Sequence, residues 1–188
     1  MISEKRAICK HLFRDPLPEK KIIFWDTSFA VAAVFEREKT RRGMAAINFI
    51  QRLQKEKAII AFSSILFDEF LQIALRAELI RSQGSRSKAD RALQEGNAMV
   101  IRPHIKDIQK DMEALGAILS KFEYRPYVIF PTETGLVENA LDLRCNYCLA
   151  HADSIHIASM FYGEEKNMVS FDREDFGKIA GISLWCKF

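Results

Sequence analysis

The chain lacks any run approaching the ~18 to 20 consecutive apolar residues of a membrane-spanning helix, although 48% of its 188 residues are apolar by a broad count. It also lacks an apolar signal core behind its charged first residues, so nothing in it points to export. Cysteine is scarce, with Cys9, Cys145, Cys148 and Cys186 the whole set. Only Cys145 and Cys148 form a C-x-x-C, and no second ligand pair follows at the spacing a structural zinc site needs. All four read as reduced, mostly buried thiols of a cytoplasmic protein with no membrane association. Charge of one sign is also in short supply. A net charge of +3 permits a nucleic-acid partner without arguing for one. Repeats and low-complexity tracts are absent.

What is present suits one soluble domain with a sizeable core. Residues 1 to about 20 mix charges with Pro16 and Pro18 and read as an extension, with room for a short helix. Five short apolar segments then read as buried strands: "IIFW" from Ile22, "AIIAF" from Ala58, "PYVIFP" from Pro126, "NMVSF" from Asn167 and "ISLWC" from Ile182. Between them lie helical stretches at about 28–35, 43–55, 103–122, 134–147 and 152–162, and one more after Ser63 or Ser64. The polar run "RSQGSRSKAD", from Arg81 to Asp90, is the one obvious linker, and the middle at about 81–122 is enlarged. Strands that are apolar throughout belong in a parallel sheet covered on both faces. Strands separated by helices agree with that. The expectation is therefore an α/β domain over residues 21–188, three-layer α/β/α around a central parallel sheet of about five strands.

The first of these strands ends on an acid, Asp26. Alone, that Asp reads as a turn former or an N-cap. In parallel sheets, however, functional groups gather at the carboxyl ends of the strands. Asp172 follows the strand in "MVSFDREDF", Glu69 lies in the second turn of the helix in "FSSILFDEFLQIAL", and Asp153 opens the helix in "AHADSIHIASM". Four acids from four segments thus project toward one sheet edge. Four nearby carboxylates repel, and some must take up protons unless a cation relieves them. Mg²⁺ and Mn²⁺ prefer such hard oxygen ligands, and no histidine or cysteine cluster competes. Carboxylate clusters holding one or two such ions hydrolyse phosphodiesters. Asp68 points about 100° away from Glu69 on the same helix and is left out. Asp175 either joins the site or caps the last helix, with the cap preferred.

With "IIFWDTSF", "SSILFDEF", "AHADSIHIAS" and "VSFDREDF" in this order, the chain resembles a PIN domain, the ribonuclease fold of VapC-type toxins, from about Lys21 to Trp185. The resemblance implies Mg²⁺- or Mn²⁺-dependent cleavage of RNA that leaves a 5′-phosphate, an antitoxin partner and a homodimer. It places Asp26, Glu69, Asp153 and Asp172 at the family's acidic positions. It also implies supporting roles for the hydroxyls of Thr27, Ser28 and Ser170. The N-terminal extension and the enlarged middle depart from compact toxins of this family.

Arg76, Arg81, Arg86 and Lys88 form a basic segment beyond Glu69 that either holds RNA phosphates or is an ordinary solvated helix end. His156, one turn after Asp153, reads as a satisfied, partly buried histidine without a catalytic role. The leading reading is a metal-dependent toxin ribonuclease. The alternatives are an RNA-processing or DNA-directed nuclease without toxic action, and a non-cleaving scaffold that binds RNA or protein.

Overall fold

The computed structural model describes residues 6–36, 39–127 and 134–188. Six strands form one parallel sheet in the order β1-β6-β5-β2-β3-β4. They are β1 (Ile8–His11), β2 (Ile22–Trp25), β3 (Ile59–Ser63), β4 (Tyr124–Tyr127), β5 (Asn167–Val169) and β6 (Ser183–Lys187). Nine α-helices are described: α1 (Thr27–Val31), α2 (Arg41–Lys55), α3 (Ile65–Gln83), α4 (Arg86–Gln94), α5 (Ala98–Ile101), α6 (Ile105–Leu119), α7 (Thr134–Tyr147), α8 (His151–Tyr162) and α9 (Arg173–Phe176).

The inner strands β2, β3, β5 and β6 are largely apolar on both sides because both sheet faces are covered there. Successive side chains of a strand point to opposite faces. Ile23, Trp25, Ile60, Phe62, Val169 and Trp185 accordingly join one core with Phe29, Phe49, Leu53, Phe70 and Leu115 from α1, α2, α3 and α6. Ile22, Phe24, Ala61, Met168 and Leu184 join a second core with Leu136, Leu143, Ile157, Met160 and Phe176 from α7, α8 and α9. This is the expected three-layer α/β/α architecture with one strand more than expected.

The additional strand comes from the N-terminal extension. Residues 8–11 pair with β6 instead of forming a helix, and Leu12 behind them is fully buried. The expected linker from Arg81 to Asp90 is mostly helical. α3 runs on to Gln83, Gly84 closes it in a left-handed conformation (φ 66°), and α4 begins at Arg86. Leu79, Ala89 and Ala92 form a small core between α3 and α4, which explains the order of that polar stretch. The segment expected as a strand from Pro126 to Pro131 falls mainly outside the described residues; β4 begins at Tyr124 and takes in its first two residues. The thiols are less buried than expected: Cys145 and Cys148 are exposed, and Cys9 and Cys186 are half-buried.

The strand order sets the location of the site. From β2 the chain moves outward through β3 and β4, then returns to the other side of β2 as β5 and β6. The reversal lies between β2 and β5, and crevices form beyond the carboxyl ends of strands at such points. Asp26 follows β2 there, and Ser170 follows β5.

Candidate metal centre

Asp26 is 3% exposed and caps α1. Its Oδ2 accepts from the Ser28 amide at 3.0 Å, from Ser28 Oγ at 2.5 Å and from Ser170 Oγ at 2.8 Å. Ser28 Oγ in turn lies 3.0 Å from Ser170 Oγ and accepts from the Phe171 amide at 3.0 Å. The hydroxyls of Ser28 and Ser170 therefore tie the end of β2 to the end of β5 through one carboxylate oxygen. Among the described residues, the hydrogen bonds to the Asp26 carboxylate all fall on Oδ2; toward Oδ1 the contact is His156 Nε2, at 3.9 Å.

Glu69 projects from the second turn of α3 and is held in a comparable way. Its Oε2 accepts from Thr27 Oγ1 at 2.6 Å and pairs with His156 Nε2 at 2.8 Å. Burial opposes ionisation of Glu69, but the hydrogen bonds from His156 and Thr27, with the electrostatic influence of His156, outweigh it and hold the carboxyl below its usual range. Asp153 stands in the first turn of α8, where the helix dipole favours its charge. Even so its carboxyl is pushed up to about 7, first by burial, then by the charges of Asp26 and Glu69, with a smaller contribution from Asp172. Asp172 is also raised, again by burial first and then by Asp175 and Asp26, against a backbone hydrogen bond from Asp175.

The structure therefore brings Asp26, Glu69, Asp153 and Asp172 within electrostatic reach of one another. Asp172, rather than Asp175, is the N-cap of α9, its Oδ1 accepting from the Asp175 amide at 3.2 Å. Asp175 instead pairs with Lys178 at 3.0 Å. Asp68 is exposed. The four acids are crowded but not drawn in. Among the described residues no group of three or more Asp, Glu, His or Cys side chains is already arranged as a metal site. The donor set itself, four carboxylates with one oxygen each of Asp26 and Glu69 already held by hydroxyls, fits a hard divalent cation.

The basic residues expected beyond Glu69 are ordered and mostly paired. Arg76 binds Asp90 at 2.8 Å, Arg86 lies 3.8 Å from Asp90, and Arg81 binds Glu78 at 2.8 Å. Lys88 is exposed on α4. His156 is fully buried rather than partly so, and it touches the site directly. Its contact with Glu69 joins residues 87 positions apart, and its only local signal was its place one turn after Asp153.

The PIN domain family model matches residues 23–182. Among solved structures, the chain is similar to VapBC2 from Rickettsia felis, bound to a DNA fragment from their promoter. That likeness has 16% identity, covers 87% of this chain and 96% of that one, and gives a TM-score of 0.52. A toxin-antitoxin complex from Klebsiella pneumoniae is similar at 18% identity, over 85% of this chain and 94% of that one, with a TM-score of 0.49. No curated protein sequence matches. At such identities the likeness concerns the fold, whereas the family model spans most of the chain and both ends of the acidic site. The chain belongs to the PIN domain family.

Proposed function

We propose that the protein is a Mg²⁺- or Mn²⁺-dependent endoribonuclease and the toxin of a toxin–antitoxin pair. The observation that carries this reading is Asp153, whose carboxyl is pushed to about 7 by burial and by the other acids of the site. Such crowding of carboxylates is what a bound cation relieves. It costs the metal-free protein stability and serves to collect positive charge.

Asp26, Glu69, Asp153 and Asp172 would hold the ion. Once bound, it supplies charge neutralisation at the attacked phosphate and acidifies a water molecule. The chain's own residues keep the acids in place. Ser28 and Ser170 fix one oxygen of Asp26, and Thr27 fixes one oxygen of Glu69. Asp172 takes its direction from the Ser170 hydroxyl, which accepts the Asp172 amide at 2.9 Å. RNA phosphates would meet Lys88 directly, while Arg76, Arg81 and Arg86 would exchange ion pairs for them. No helix among the described residues is long and apolar enough to cross a membrane, and we place the protein in the cytoplasm. The fold likeness to VapBC2 supports a search for an antitoxin, and a homodimer is part of the proposal.

The test uses labelled RNA and labelled DNA of one sequence, with Mn²⁺ and after chelation. The proposal expects metal-dependent RNA cleavage with 5′-phosphate ends. Cleavage of DNA alone would shift the reading to a DNA-directed nuclease. RNA retention without cleavage would favour a scaffold.

A further inference from the structure

His156 is wholly buried and is used by none of the steps above. A buried histidine can be satisfied by any backbone carbonyl or hydroxyl. This one directs a ring nitrogen to a half-buried carboxylate of the site instead. Nε2 lies 2.8 Å from Glu69 Oε2, and Nδ1 shares a hydrogen bond of 2.7 Å with Ser63 Oγ at the end of β3. Phe24 packs edge-on against the ring, at 6.3 Å between centroids. The imidazole is thus fixed at both nitrogens and at one edge. Thr27 Oγ1 reaches the same Glu69 oxygen at 2.6 Å. Two donors on one oxygen select a single orientation for a long, flexible side chain, and Oε1 takes part in neither of these hydrogen bonds.

We propose that His156, backed by Ser63, is a positioning residue that holds Glu69 by Oε2 so that Oε1 is presented to the cation. This rests on the metal-nuclease reading above. The clamp also joins the two helices that carry Glu69 and Asp153, because His156 is one turn after Asp153 on α8 and its partner is on α3. Polar groups that orient a metal ligand in this way commonly contribute about 10- to 100-fold to metal affinity.

The test is a double-mutant cycle read as Mn²⁺ affinity by electron paramagnetic resonance, on the full chain without RNA. The four proteins are wild type, His156→Phe, Glu69→Gln and the double variant. His156→Phe is expected to weaken Mn²⁺ binding about 10- to 100-fold when Glu69 is present, and by less than about threefold when Gln replaces it. Equal losses in both backgrounds would make His156 a general packing residue and overturn the proposal. If His156→Phe does not fold, Ser63→Ala takes its place, since the Ser63 hydroxyl hydrogen-bonds His156 and, among the described residues, none of the four acids. It should weaken Mn²⁺ binding about threefold or more with Glu69 present and leave the Glu69→Gln background unchanged. No loss, or the same loss in both, overturns the proposal. Wild-type protein that binds no Mn²⁺ would remove the metal site and this role together. Wild-type binding with additive losses would remove only the positioning role.

Discussion

Asp26 and Asp153 show how one residue type takes opposite environments within one site. Asp26 ends an all-buried strand, with three donors on one oxygen. Asp153, partly buried as well, meets like charge from Asp26 and Glu69 instead. The sign of its effect on stability follows. Its folded value of about 7 lies above its ordinary 3.8, so the folded state holds the proton more tightly. Its contribution is complete below the ordinary value and is lost as pH rises toward 7. Asp172, also raised, acts in the same direction. Glu69 is lowered and acts oppositely, but below its ordinary 4.5. The metal-free melting temperature should therefore fall between about pH 5 and pH 7. Asp153→Asn should flatten that decline, and calorimetry at several pH values checks it. An unchanged slope in Asp153→Asn would assign the decline to other groups. The four acids were legible in the sequence because each sits next to a readable strand or helix start. The His156–Glu69 contact was not, because nothing local reports which side chains meet across 87 positions.

Elements differ in how clearly the sequence announces them. β2 was readable to the residue, since four buried apolar positions run into a capping Asp. β1 was not: "ICKH" is short, polar in part and never fully buried, as befits an edge strand. The end of α3 was read as a linker because Arg81 to Gln83 are polar. An Arg81–Glu78 pair one turn apart and a left-handed Gly84 sustain the helix there. At the site's edge, Gly177 ends α9, and its carbonyl accepts from the Ala7 amide just ahead of β1, at 3.2 Å. A methyl group on Gly177 would collide with the backbone carbonyl of Arg173. Gly177→Ala should thus open the turn that carries Asp172 and cost about 1 to 3 kcal/mol. Urea titration measures this, and a midpoint equal to wild type would mean that the turn yields freely.

For the whole molecule, the two large cores account for stability, and the crowded edge between β2 and β5 is where the proposed function is located. The sequence showed the layers because covered parallel strands must be apolar on both faces. It did not show the assembly. Val137 and Leu141, one turn apart on α7, are 42% and 54% exposed, and a homodimer is the expected state. Sedimentation at micromolar concentration should give twice the 21.6 kDa chain mass, and a monomer mass would remove that claim. The central claim is that Asp26 ends its strand for the sake of a cation. Asn at this position keeps the shape, the cap and one acceptor oxygen, but not the charge. The direct measurement is cleavage of a labelled RNA in Mn²⁺ by purified Asp26→Asn, paired with its metal-free melt. The account predicts no detectable cleavage and a melting temperature at or above wild type, because repulsion at Asp153 is relieved. Wild-type cleavage would contradict the site, and a melting temperature well below wild type would make Asp26 a structural cap instead.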